Sequence, residues 1–191
     1  LLWRSGQRRF GRAAYNNVLS KVSFGSVITN GIERKDCKSI KDCKLLTFCR
    51  NSCYLIMHVK VTTQVNQNLA SVKAGFNQDL FLKLNPPFPT VSLIRFDGCY
   101  TGDFVELLLD FKVKKQKWIS EITYDNETNE RFEFIDEGVV LPFPFHSWKH
   151  HHILIGNAEG CQIVDSIEYK AKYKLMTVLL YPLLLLQFLY R

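Results

Sequence analysis

Residues 58–65 read HVKVTTQV, with apolar and polar positions alternating among β-branched residues; this predicts a strand with one face buried. Leu69, Val72, Phe76, Leu80 and Leu84 then recur at helical spacing, with Asn66 or Asn68 placed to cap the run. Gly75 and the shortness of the run predict two short helices. NPPFP, residues 85–89, ends them, because proline lacks the amide that a helix uses. Six further strand-like runs follow at 91–96, 104–111, 117–124, 131–137, 148–155 and 161–169. DGCYTGD, KVKKQ, DNETNE, GVVLPFPFHS and GNAEG separate them, and such short links favour antiparallel neighbours. A final helix is predicted from about Thr177, within LMTVLLYPLLLLQFLYR. The order is strand, two helices, six strands, helix, which is an α+β domain.

Alternation also assigns faces. In 104–111, Val105, Leu107, Leu109 and Phe111 form the apolar side. Trp118, Ser120, Ile122 and Tyr124 share a face, as do Phe132, Phe134 and Asp136, and so do Cys161, Ile163, Asp165, Ile167 and Tyr169. Large aromatic residues in these positions serve either as core or as the wall of a ligand pocket.

WKHHHILIG, residues 148–156, contains three consecutive histidines, and a period of two divides them. Trp148, His150, His152 and Leu154 face one way; Lys149, His151, Ile153 and Ile155 face the other, with His151 expected in solvent. No metal site is expected from His150 and His152, because zinc takes three or four ligands and no further His or Cys has an evident place beside them. Pairing Gly156 with Cys161 around the GNAEG link keeps the apolar faces together. It sets His152 opposite Asp165 and His150 opposite Ile167. A carboxylate beside an imidazole raises its proton affinity and fixes its orientation, so His152 and Asp165 are the candidate catalytic pair or, equally, a polar anchor. There is no Gly-rich phosphate loop, GxSxG or HExxH, and neither Cys99 nor Cys161 has an evident activating base.

Charge and cysteine divide the chain. Of the formal net charge of +7, residues 1–56 hold 11 Lys/Arg against 3 Asp/Glu, and the remainder hold 14 against 15. The larger part therefore offers no basic face for phosphate, and no nucleic-acid partner is expected. Cys37, Cys43, Cys49 and Cys53 lie upstream without a CxxC, which argues against zinc, and without an apolar export signal, which argues against disulfides. The Asn126 sequon is accordingly read as chance. Met57 is the first methionine, directly before the first strand. Residues 1–56 are read as a basic extension outside the folded domain 57–191. The rival reading is an organelle transit segment, since Arg4, Arg8, Arg9, Arg12 and Lys21 precede the first acid, Glu33. The closing apolar run falls short of the roughly 20 residues of a membrane span. Pro182 and Gln187 interrupt it, so a buried helix cut off at Arg191 is expected.

Residues 57–191 resemble the SRPBCC ligand-binding domains, the START-like or Bet v 1-like superfamily that includes polyketide-cyclase-like proteins. The resemblance rests on PPFPTVSLIRFDG, QKWISEIT, FEFIDEG, WKHHH and LLYPLLLLQFLYR. It implies a helix-grip fold: a curved seven-stranded antiparallel sheet with two short helices after the first strand, closed on a long C-terminal helix. It further implies an apolar cavity for lipids, sterols, quinones, polyketides or hormones. The chain departs from that pattern in its basic extension and in stopping within the last helix.

The expected function is binding or carriage of a small hydrophobic ligand between sheet and C-terminal helix. Trp118, Tyr124, Phe132, Phe134, Trp148, His150, His152, Asp165 and Tyr169 are the candidate contacts. The alternative is a cyclase- or hydrolase-like enzyme using His152 and Asp165 in the same cavity. No cofactor is expected. A cytoplasmic location is expected, against membrane association through 175–191 or organelle targeting through 1–56.

Overall fold

The computed structural model of the protein describes residues 55–85 and 88–190. The basic extension and its four cysteines lie outside the described residues, apart from Leu55 and Ile56. Strand β1 (Met57–Val65) is followed by helices α1 (Leu69–Gly75) and α2 (Gln78–Lys83). Then come β2 (Thr90–Phe96), β3 (Phe104–Asp110), β4 (Lys115–Glu127), β5 (Arg131–Val140), β6 (Phe145–Asn157), β7 (Gly160–Ala171) and helix α3 (Lys174–Tyr190). The strands form one antiparallel sheet in the order β1-β7-β6-β5-β4-β3-β2, so the first strand returns to pair with the last. Helix α1 packs on β5, β6 and β7, while α3 packs on β1 and β7. This is the helix-grip architecture that the order of elements and the resemblance led us to expect.

Local chemistry explains the element ends. The Asn68 side chain accepts from the Ser71 amide and starts α1; the Asn77 side chain accepts from the Asp79 and Leu80 amides and starts α2. Helix α3 begins three residues earlier than the apolar pattern indicates, because tertiary bonds fix its first turn. The Tyr169 hydroxyl donates to the Thr177 carbonyl at 2.8 Å, and the Thr177 hydroxyl accepts from the Ala171 amide at 3.0 Å. Pro182 sits inside α3 without ending it. The bond its ring forfeits is the one to the Val178 carbonyl, on a side of the helix where Val178 is exposed to water.

Two cores lie on the face that meets the helices, here the inner face. Under α3, Val59, Val61, Trp148, Ile167 and Tyr169 pack with Leu184 and Phe188. Under α1, Val72 packs with Cys99, Ile122, Phe132, Phe134, Leu154 and Cys161. The opposite side of α3 exposes Leu175, Val178, Leu179, Leu183 and Leu186. Among the described residues no helix is long and apolar enough to cross a membrane.

The β6–β7 hairpin has the register its turn chemistry predicts, Gly156↔Cys161 and His152↔Asp165. Gly160 makes it possible. Its φ is +127°, and a Cβ there would stand 2.2 Å from the Val65 carbonyl oxygen of β1. Gly160→Ala is therefore expected to cost more than about 1 kcal/mol through both backbone strain and displacement of β1. Urea unfolding monitored by far-ultraviolet circular dichroism measures it; an unchanged midpoint would show that the hairpin relaxes freely.

Candidate functional site

Strand alternation puts Asp136 of β5, His150 and His152 of β6 and Asp165 of β7 on the inner face, and the register makes them neighbours. Asp136 pairs with His150, and His152 with Asp165. The result is a closed four-residue cluster. His150 Nε2 lies 2.8 Å from Asp165 Oδ1, and His150 Nδ1 lies 3.5 Å from Asp136 Oδ2. His152 Nε2 lies 3.1 Å from Asp136 Oδ2, and His152 Nδ1 lies 3.3 Å from Asp165 Oδ1. The two imidazoles are 3.6 Å apart between ring centres. The indole N–H of Trp148 donates to the other oxygen of Asp136 at 3.2 Å.

The cluster occupies the seam between the two cores. Its side chains are 4–21% exposed, with His150 the most enclosed. Phe134 stacks on His152 at 4.3 Å, and Phe76, just after α1, meets the same ring edge-on. From α3, Phe188 meets His150 edge-on at 5.1 Å. Each helical cover thus contributes one phenylalanine to the wall of a polar site.

This setting governs the protonation of the four groups. Burial works against the charged form of both carboxylates, but hydrogen bonds from the imidazoles outweigh it and hold Asp136 and Asp165 below the usual carboxylate range. Burial also works against charge on His152, yet its bonds to Asp136 and Asp165 raise its proton affinity. For His150, burial and the neighbouring His152 charge prevail over the carboxylates, and its proton affinity falls. The two imidazoles therefore differ in proton affinity while lying within bonding distance of the same two carboxylates. Such a site can hydrogen-bond a carbonyl or hydroxyl, relay a proton or hold a cation.

Several sequence expectations change here. His152 does face Asp165, but its shorter contact is with Asp136, and Asp165 lies closer to His150. Asp136 had been placed on the face of Phe132 and Phe134 without a partner. The ten-residue link after Glu137 left the β5–β6 register undetermined by turn chemistry, so the pairing that makes Asp136 the centre of the site had no local signal. His151, expected in solvent, bonds Glu133 at 2.9 Å on the outer face, and Arg131 bonds the same carboxylate oxygen at 2.6 Å. Glu133 is only 7% exposed, so this trio is packed against the sheet.

Tyr124 is corrected outright. A bulge between Ile122 and Tyr124 adds one residue to β4, so Ile122 stays inward opposite Asp136 while Tyr124 turns outward opposite Ile135. Tyr124 is 42% exposed and lies away from the cluster. The other candidates face inward. Phe132 and Phe134 lie under α1, and Trp118, Trp148 and Tyr169 lie on the α3 side, where the Trp118 and Trp148 rings meet edge-on at 4.9 Å. Trp118 donates its indole N–H to Ser120. Phe132 also borders an open groove of about 540 Å³ with Leu69, Lys73, Tyr100 and Glu127. Cys99 and Cys161 are buried free thiols; burial pushes the Cys99 thiol up to about 12, which removes it as a nucleophile at neutral pH.

A seven-stranded antiparallel sheet gripping a C-terminal helix, with a polar cluster set in its aromatic inner wall, defines a helix-grip fold. One solved structure shares that fold at a TM-score of 0.50, and two others are similar at lower scores. Protein CV1439 of Chromobacterium violaceum superposes with a TM-score of 0.50 at 12% identity, over 70% of this chain and 94% of that one. The Zhui aromatase/cyclase of a Streptomyces species gives 0.49 at 15% identity, over 62% and 70%. The ginseng major latex-like protein 151 of Panax ginseng gives 0.47 at 14% identity, over 71% and 96%. At 12% identity the likeness to CV1439 is one of fold. No protein-family model matches the sequence, and no curated protein sequence matches it.

Proposed function

We propose that the domain binds and carries a small hydrophobic molecule bearing a carbonyl or hydroxyl group, such as an isoprenoid quinone, a lipid or a polyketide. The observation that carries this reading is the placement of the Asp136, His150, His152 and Asp165 cluster at the seam of two apolar cores, walled by Phe76, Phe134 and Phe188. Apolar area would supply affinity, at roughly 25 cal/mol per Å² buried, and the cluster would supply orientation. Trp118, Phe132, Trp148 and Tyr169 extend the same inner wall. The exposed apolar row of α3 is the surface through which such a carrier would meet a bilayer to load or release its ligand.

Native mass spectrometry of the purified full chain, with displacement of a bound fluorescent naphthalene sulfonate by quinones and fatty acids, tests the reading. A co-purified apolar molecule and displacement weakened about tenfold by His152→Phe or Asp165→Asn are expected. Absence of any bound molecule together with no displacement would refute carriage. Equal affinity in both variants would remove the cluster from the binding role.

The contacts of both imidazoles with carboxylates, at 2.8–3.5 Å, favour one second reading, proton transfer on a polyketide-like substrate. Turnover by the wild type that vanishes in His152→Ala would establish it.

A further inference from the structure

We propose that Asp136, His150 and His152 form a binding site for a divalent first-row transition-metal cation, with Asp165 as the outer carboxylate that orients both imidazoles. The site goes beyond hydrophobic carriage and does not depend on it.

The first argument is spacing. Asp136 Oδ2, one nitrogen of His150 and one of His152 all lie within 4.8 Å of one another. The separations from Asp136 Oδ2 are 3.5 Å to His150 Nδ1 and 3.1 Å to His152 Nε2. Metal–nitrogen and metal–oxygen bonds of about 2.0–2.2 Å place tetrahedral donors about 3.4 Å apart, so the Asp136 contacts already have the spacing of a shared ion. The ring centres already stand 3.6 Å apart, so a turn of the rings that converges their two nitrogens would complete the set.

The second argument concerns the far edges of the rings. His150 Nε2 and His152 Nδ1, the nitrogens directed away from Asp136, both reach Asp165 Oδ1, at 2.8 and 3.3 Å. Metal-binding histidines are commonly held in this manner, the distal N–H donating to a carboxylate that fixes tautomer and ring orientation. In those tautomers His150 Nδ1 and His152 Nε2 carry lone pairs next to Asp136 Oδ2. Three lone-pair atoms brought together repel one another unless a proton or a cation lies among them. A single proton on His152 Nε2 satisfies its contact with Asp136 and leaves the His150 Nδ1 lone pair facing the same oxygen at 3.5 Å, while protonating both imidazoles puts two positive rings 3.6 Å apart in a buried place. A single divalent cation among the three atoms neutralises both carboxylates and leaves both rings neutral.

The third argument is support. Trp148 occupies Asp136 Oδ1 and so leaves Oδ2 for the ion. The three ligands stand on adjacent strands rather than loops, Asp136 and His150 being a direct cross-strand pair. The phenyl rings of Phe134 and Phe188 pack on the imidazoles and lower the local dielectric, which strengthens the electrostatics. Two imidazoles and one carboxylate suit zinc, iron(II), cobalt(II) or manganese(II), and leave at least one position for water or for an oxygen of a bound molecule.

The test uses the full chain with its thiols alkylated, so that the cysteines cannot compete, stripped by a chelator and titrated with Co²⁺ or Zn²⁺. One equivalent is expected, with a cobalt visible spectrum of an N,O-coordinated ion. Asp136→Leu and His152→Phe should weaken uptake more than 100-fold. Asp165→Asn should weaken it by about 10–100-fold while preserving the spectrum. Should a variant fail to fold, imidazole nitrogen NMR of the wild type decides. Zn²⁺ must shift the His150 and His152 signals and leave those of His58 and His146 in place. No stoichiometric uptake, uptake undiminished in the Asp136 variant, or shifts confined to His58 and His146 would each overturn the proposal. Dye displacement in the same samples reports hydrophobic binding separately, so either proposal can fail alone.

Discussion

Asp165→Ala is expected to lower the unfolding free energy by about 3–5 kcal/mol, a large fraction of the roughly 5–15 kcal/mol available to a domain. The carboxylate oxygen removed is within bonding distance of His150 Nε2 and His152 Nδ1, at 2.8 and 3.3 Å. Phe188 and Phe134 pack against the two rings and limit the approach of water to them. Two buried donors are then left without an acceptor, at about 1–3 kcal/mol each. Asp165→Asn keeps an acceptor oxygen and should cost about half as much. The informative contrast is removal of the entire cluster. Replacing Asp136 and Asp165 by Leu, and His150 and His152 by Phe, removes all four ionisable groups at once, leaves only the Trp148 indole N–H without its acceptor, and should leave stability within about 2 kcal/mol of wild type or raise it, because desolvating four ionisable groups offsets much of what their mutual bonds contribute. Urea unfolding of the single and fourfold variants measures both effects. A fourfold variant as unstable as Asp165→Ala would show that the cluster serves the fold itself rather than a ligand or an ion.

Trp148→Ala is expected to cost about 3–5 kcal/mol, by removing the side chain that joins the α3 core to the polar cluster. Its indole lies 8% exposed, edge-on to Trp118 at 4.9 Å, to Phe145 at 5.7 Å and to His150 at 5.9 Å. It also supplies the N–H bonded to Asp136. Trp148→Phe restores most of the volume but not the donor. It should recover more than half of the loss, while binding at the cluster weakens as Asp136 becomes free to turn. Circular dichroism should follow the unfolding, since indole emission changes in both variants. A cost below about 1 kcal/mol for Trp148→Ala would mean that α3 closes over the vacated space.

The strand pattern alone made the inner face legible, and with it most of the aromatic wall. Phe132, Phe134, Trp148 and Tyr169 stand where alternation places them, because each strand is buried on one side and a period of two leaves no other choice. Tyr124 departs from that rule because a bulge is an inserted residue, and nothing in TYDNE distinguishes a bulged from a regular strand. Three of the four residues of the candidate site, His150, His152 and Asp165, were legible as well. The His152↔Asp165 pairing followed from the link between β6 and β7, which is short enough to set a register. The place of Asp136 was not, for the opposite reason: ten residues separate the two runs that alternation marks as strands, a link long enough to permit many registers, and only the structure extends both strands until four residues remain between them.

What the sequence by itself determined is the order of elements, the α+β class and the inward set of β6. These depend on hydrogen bonds and burial within a few residues of each position, and hence on local periodicity. Only the tertiary structure decided which inward groups meet. The first strand pairs with the last, α1 and α3 cover separate cores, and Asp136 arrives from β5 to stand between two histidines that alternation had already aligned. Such contacts are set by packing across the sheet. No window of sequence short enough to show periodicity contains both strands of a pair joined by a long link.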